Sequence, residues 1–318
     1  MISNIIALVI FPLFTLFAFF HKYDEGSFNK EFFCKRQTTT LKGIMIIVIF
    51  FHHFPQIVDG AEWVDRAYRN SQYSVATFFL LAGYTTSLRY IKTNKIDFKQ
   101  VWINRCWRLY LPIILLTVSR NSFMDCLLFL FVCTDVVFAR INNDNLKIVA
   151  LLICNALFIF FCIRIGKRPY WYDDVFTYWI GVAVAFYKND IIKFFTGVRY
   201  WISLIALSVL FDVSYYFAFY GRQYVYSTII LSTSAALIVF LIMMKLDIRS
   251  RFFEFIGRYS FEIFMSHQLI ILLMNILFIH NSTIMFSSFL IIIIFSVSFQ
   301  RAALLLKENW LSSRRSTI

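Results

Sequence analysis

Residues 41–56 read LKGIMIIVIFFHHFPQ, an apolar run with Lys42 near its start and His52 and His53 near its far end. Between the lysine and the histidines every side chain is apolar or absent, so a helix here is hydrophobic all round and suited to a lipid or protein interior. An ionisable group inside such a segment is costly and as a rule faces a bundle interior or a wet cavity. Lys42 and His53 are eleven residues apart, close to three helical turns or about 16 Å of rise, which puts them on one face. With Lys42 at a membrane edge, His53 falls near the middle of the bilayer or slightly beyond it. Imidazole takes and returns a proton near neutrality, its unperturbed pKa being about 6.5, so His53 suits proton transfer. The plainer alternative is a buried histidine satisfied by a neighbouring helix. His52 is rotated by about 100° from that face and reads as a packing residue.

The rest of the chain repeats the pattern. Of 318 residues 60% are hydrophobic, 20% are aromatic and only 15% are charged, which excludes an ordinary soluble domain. A spanning helix needs about 20 mostly apolar residues. Eleven segments answer to that template, at 3–20, 41–57, 73–91, 106–119, 122–139, 146–163, 174–188, 199–218, 226–244, 260–279 and 284–306, with 106–119 and 174–188 the shortest. The expected architecture is all-α, a polytopic transmembrane bundle of ten to eleven helices. Residues 3–20 read as a span rather than a secretory leader, because no basic stretch precedes them and no small-residue cleavage site follows.

Charge sets the orientation. The net charge is +13, but the basic residues sit in the gaps between apolar runs, which marks topology and argues against nucleic acid as a partner. An outside N-terminus places 24 of the 31 basic residues on the cytoplasmic side, leaving only Arg66, Arg69, Arg120, Arg164, Lys167, Arg168 and Arg222 opposite. The C-terminus is then cytoplasmic. The six cysteines lack metal-ligand spacing and read as small packing residues, with no metal expected. No linker or low-complexity tract divides the chain. Residues 1–318 are expected to form one integral membrane domain, with 3–20 an additional N-terminal span and 41–306 the core bundle.

Three further stretches carry candidate chemistry. WINRCWRLYLP at 102–112 sets Arg105 and Arg108 at i, i+3 on one side of a helix start. Paired guanidinium groups at a membrane edge can grip phosphates through forked charge-assisted bonds, or simply anchor the helix. GRYSFEIFMSHQ at 257–268 carries Ser260 and His267 on one face, and His267, roughly 10 Å into its helix, stands at a depth comparable with that of His53. In TFFLLAGY at 77–84, Gly83 would allow close approach of a helix or ligand. On the other side, Glu62 and Trp63 in one loop and Trp171 and Asp173 in another mix aromatics with acids. That composition suits stacking on sugars and bonding their hydroxyls, although aromatics are ordinary at a membrane interface. Asp135 and Asp212 are intramembrane acids in need of partners.

Taken in order, Lys42-Gly43 leading to His53, Phe78-Phe79 to Gly83-Tyr84, Arg105-x-x-Arg108-Leu109-x-x-Pro112, and Gly257-x-x-Ser260 to His267 resemble the membrane acyltransferase-3 family over most of the chain. The resemblance implies transfer of an acetyl or similar acyl group from cytoplasmic acetyl-CoA, or another acyl-CoA, to a hydroxyl of an envelope carbohydrate such as O-antigen, capsule or exopolysaccharide. It implies His53 as the catalytic residue, aligned with Lys42 and accompanied by His267, and Arg105 and Arg108 at the CoA phosphates. The acceptor would be a lipid-linked or polymeric glycan, and the site a bacterial inner membrane whose lipid surrounds the bundle. A homo-oligomer stays open, as does the choice between His53 as general base and as transient acyl carrier. Two departures stand out: Ala82 occupies the place of the family's usual serine, and His52 replaces a small residue before the motif histidine. The rival reading is a flippase, carrier or polymerase for lipid-linked glycans, which would share the hydropathy and the basic loops.

Overall fold

A computed structural model describes residues 32–61, 64, 72–92, 98–107, 122–220, 224–248, 250–278 and 281–315. The expected spans at 3–20 and 106–119 lie essentially outside these residues. Within them the chain is helical, with α1 (Lys35–Ile57), α2 (Gln72–Lys92), α3 (Phe98–Arg105), α4 (Ser122–Arg140), α5 (Asp144–Arg164), α6 (Phe176–Phe194), α7 (Val198–Tyr220), α8 (Tyr224–Lys245), α9 (Arg251–Arg258), α10 (Ser260–Leu277) and α11 (Asn281–Arg315). A single 3-10 turn, Pro169–Trp171, precedes α6. No strand occurs among the described residues.

Seven of these helices, α1, α4, α5, α7, α8, α10 and α11, are long and apolar enough to cross a membrane. The sequence places spans at 73–91 and 174–188 as well, and helices do form there as α2 and α6. In α6 the polarity comes from Lys188, Asn189, Asp190 and Lys193 in its last turns, while α2 is interior, packing along α6 and also meeting α1, α8 and α4. Lipid never tests such a helix directly, so buried hydroxyls such as Ser74, Thr77, Ser87 and Thr177 are tolerated. Thr77 Oγ1 donates back to the Tyr73 carbonyl at 3.0 Å, and Thr177 Oγ1 donates across to the Ala76 carbonyl of α2 at 2.7 Å. The outer helices show the opposite polarity. Along α7 the side chains of Trp201, Ile202, Ile205, Val209 and Tyr216 are all exposed, an apolar face far too extensive for water and natural for hydrocarbon. The protein is an integral membrane helix bundle.

Two helix crossings are made backbone to backbone. A Cβ on Gly43 would stand 1.9 Å from the Phe253 carbonyl oxygen, and one on Gly257 would stand 1.8 Å from the Thr39 carbonyl oxygen. Thus α9 runs parallel to the early turns of α1, Phe253 lying beside Thr39 and Gly257 beside Gly43. After a kink at Tyr259 α9 continues into α10, which packs along the later turns of α1, where Asn275 Nδ2 donates to the Ile57 carbonyl at 3.1 Å. The second crossing joins α2 and α6: a Cβ on Gly83 or Gly181 would lie 2.1 or 2.0 Å from a carbonyl oxygen of the partner helix. With α3 and α9 only eight residues long, about 12 Å, both are too short to span and stay at the end of the bundle that holds Lys42.

These contacts have a measurable consequence. Gly43→Ala and Gly257→Ala each drive a methyl group into a facing carbonyl and force the helices apart, at a cost of about 1–3 kcal/mol. Thermal unfolding of the purified protein in detergent should show a lower midpoint for both variants, whereas Gly166→Ala, with nothing within 4 Å of its Cβ but a φ of +70°, perturbs only its own turn.

Candidate active site

At the Lys42 end the bundle encloses a cavity of about 420 Å³. Its polar lining includes Lys42 from α1, Arg89 from the last turn of α2, and Asn104 and Arg105 from α3. Its walls are largely apolar, with Phe78, Ala82, Phe123, Leu127, Phe131, Phe261 and Phe264, relieved by Thr85, Thr86 and Ser260. Lys307 of α11 donates to Asn104 Oδ1 at 2.6 Å, bringing another cation beside it.

Arg105 is held rather than swinging. Its Nη1 pairs with Asp135 Oδ2, and Tyr90 donates its hydroxyl to Asp135 Oδ1. The guanidinium carbon lies 4.5 Å from the Phe131 ring centroid and 5.2 Å from that of Trp102. This answers the need of Asp135, 5% exposed in α4, for a counter-charge. A guanidinium has five N–H donors in a rigid fork, so pairing one edge with Asp135 fixes the plane in which the remaining donors are presented. Arg108, the other expected phosphate ligand, lies outside the described residues.

The two expected histidines meet. The His53 ring of α1 and the His267 ring of α10 have centroids 5.0 Å apart. His267 is 2% exposed; its Nδ1 donates to the Phe264 carbonyl at 2.7 Å, which leaves Nε2 as the acceptor. That Nε2 is buried and has no hydrogen-bond partner among the described residues. His53 is half-buried, one turn before the end of α1, with Gln56 Oε1 at 2.9 Å and Gln268 Nε2 at 3.4 Å from its Nδ1. The geometry links this pair to the cavity. Phe264 lines the cavity wall, its carbonyl orients His267, and its ring centroid is 5.8 Å from the His267 ring.

His52, read from the helical wheel as packing, instead bonds Gln56 Nε2 through its own Nε2 at 3.0 Å and lies 5.0 Å from the His53 ring centroid. A wheel shows where side chains leave the helix and not where they end, so a glutamine reaching back one turn escapes it. Gln56, Gln268, Arg89 and Tyr90 were all absent from the candidate set. Only Gln56, at i+3 and i+4 from the two histidines, has a spacing that could have signalled its contact.

Trp171 and Asp173 stand in the connection between α5 and α6, on different elements from the histidines. The Trp171 carbonyl accepts from Cys126 Sγ of α4 at 3.0 Å, and Lys167 Nζ lies 4.3 Å from the Trp171 ring centroid. Asp173 is 4% exposed, and burial, reinforced by neighbouring Asp174, pushes its carboxyl well above the usual carboxylate range. Glu62 and Trp63 lie outside the described residues.

Removing one partner of the Arg105–Asp135 pair leaves a buried charge uncompensated, at about 3–5 kcal/mol. Asp135→Leu and Arg105→Leu should therefore each lower the unfolding midpoint, and the double variant should be more stable than the sum of the two losses implies. A double-mutant cycle in detergent measures that coupling.

A model of the acyltransferase-3 family, described as an acyltransferase domain, matches residues 39–125 and 123–301. No curated protein and no solved structure matches the chain. The matched residues take in α1 with Lys42 and His53, the cavity wall, the Arg105–Asp135 pair and the late helix with His267, and the chain belongs to the acyltransferase-3 family.

Proposed function

We propose that the protein transfers an acetyl or similar acyl group from cytoplasmic acyl-CoA to a hydroxyl of an envelope carbohydrate, a lipid-linked or polymeric glycan of O-antigen, capsule or exopolysaccharide type. The observation that carries this reading is a cavity lined by both cationic and apolar side chains, among them Phe264, the residue whose carbonyl holds His267 beside His53. The side chains present fit an acyl-CoA: Lys42, Arg89 and Arg105 offer charge for phosphates, and the phenylalanine-rich wall excludes water from a thioester. When bound, acyl-CoA supplies the activated acyl carbon. Arg105, steadied by Asp135, orients the phosphate end, and Arg108 is assigned to the same role. His53 Nε2 takes the proton of the acceptor hydroxyl as its oxygen attacks the acyl carbon, and the proton passes on to the departing thiolate, so that ester and free thiol are the products. His267 lies beside it with an open Nε2 and shares that proton traffic.

The acceptor approaches from the end of α1 opposite Lys42, where His53 is half-buried rather than sealed. We assign Glu62, Trp63, Trp171 and Asp173 to the glycan at that end. The membrane is a bacterial inner membrane, oriented with the Lys42 end toward the cytoplasm in keeping with the basic loops.

General-base assistance typically contributes on the order of 10² to 10⁴ in rate. His53→Ala should reduce transfer of radiolabelled acetyl from acetyl-CoA into membrane glycan by that factor while the protein is expressed and extracted as wild type. Undiminished labelling by a folded His53→Ala protein would remove His53 from the mechanism. Unlabelled glycan crossing proteoliposomes containing the wild-type chain would favour a carrier instead.

A further inference from the structure

We infer that Gln56 is a positioning residue that sets the tautomer of His53, and that His52 sets the orientation of Gln56. The inference rests on the assignment of His53 as base. Three side chains at the end of α1 form one chain of bonds: His53 Nδ1 to Gln56 Oε1 at 2.9 Å, and Gln56 Nε2 to His52 Nε2 at 3.0 Å. A primary amide has one accepting end and one donating end. Its oxygen can meet His53 Nδ1 only if that nitrogen carries the proton, and its nitrogen can meet His52 Nε2 only if that nitrogen does not. The arrangement therefore leaves His53 Nε2 with its lone pair for a substrate hydroxyl, whereas the corresponding lone pair on His52 is committed to Gln56. Adjacent histidines of identical chemistry become a base and a support.

Gln268 of α10 supplies the counter-test within the molecule. Its Nε2 stands 3.4 Å from the same Nδ1, and an amide nitrogen can bond there only to a bare lone pair. Gln56 and Gln268 thus favour opposite tautomers of His53, and the shorter contact belongs to Gln56. Were Gln56 lost, Gln268 would be the remaining amide at Nδ1 and would draw the proton to Nε2, the wrong nitrogen for a base. Gln56 is exposed on the last turn of α1, so replacing it removes the bond without opening a cavity.

The experiment measures steady-state transfer by the full chain in proteoliposomes with acetyl-CoA and isolated membrane glycan, at pH 8, for Gln56→Leu, Gln56→Glu, Gln56→Leu/Gln268→Leu and His53→Ala. Gln56→Leu should lower kcat about three- to tenfold, the scale of one neutral hydrogen bond, with KM for acetyl-CoA within twofold. Gln56→Glu keeps an acceptor for Nδ1–H and should recover most of the loss. The double variant should exceed Gln56→Leu alone, because the competing donor is gone. A Gln56→Leu protein with unchanged kcat, a change confined to KM, or a Gln56→Glu protein no better than Gln56→Leu overturns the inference. In each of those cases an inactive His53→Ala protein leaves the reading of the site intact, whereas an active one removes that reading and the inference together.

Discussion

The approach of Gly43 to Gly257 is the contact on which the arrangement of the site depends. Because neither residue has a side chain, the backbone of α9 lies directly on that of α1, each Cα within contact of a carbonyl on the other helix. Helix association in lipid gains little from apolar burial, since the solvent is as apolar as the side chains, so close packing of this kind has to provide the specificity. The chain then continues through a kink at Tyr259 and lays α10 along the upper turns of α1 in the same direction. Lys42, immediately before the contact, and Ser260, just after the kink, both line the cavity. His267 arrives opposite His53 because α9 and α10 together are registered against one helix.

Many polar groups inside the bundle take a partner from a different helix or from their own backbone. Asp135 of α4 meets Arg105 of α3 and Tyr90 of α2. Glu262 of α10 accepts from Gln300 of α11 at 3.0 Å. Hydroxyls such as Thr134 and Ser266 donate one turn back to their own helices, at 2.8 Å in both cases. An ion pair of this sort is weak evidence of net stability, because desolvation offsets its attraction. Its effect on geometry is less ambiguous, since a guanidinium clamped by a carboxylate and two aromatic rings presents its remaining donors in one direction. His267 Nε2 is among the buried polar atoms with no hydrogen-bond partner among the described residues, and its place beside the His53 ring makes it an open position of the kind that a reacting group can fill.

Helices and polarity were legible in the chain itself. Every span that the hydropathy pattern placed within the described residues is a helix there, because lipid leaves the backbone no alternative to internal hydrogen bonding and a run of about 20 apolar residues has no other stable form in it. The inner helix α2 is placed at 73–91 despite its hydroxyl content, and α6 reads short, at 174–188, because Lys188, Asn189 and Asp190 end its apolar run. The short α3 and α9 escaped a template built on spanning length. At the site, Lys42 and His53 shared a face by the arithmetic of helical rise, and that arithmetic also brought His267 to a comparable depth.

What the sequence alone determined is the set of helices and the faces on which each carries its lysine, arginine or histidine, since period and hydropathy are properties of a single helix. The tertiary structure decided which faces meet. The partner of Asp135, the 5.0 Å approach of two imidazoles, and the cavity that brings basic side chains and Phe264 into one lining all join residues far apart in the chain. His52 marks the boundary between the two kinds of information: its angle on the helix and its i, i+4 spacing from Gln56 are computable, but the side-chain rotamers that make the bond are seen only in the folded structure.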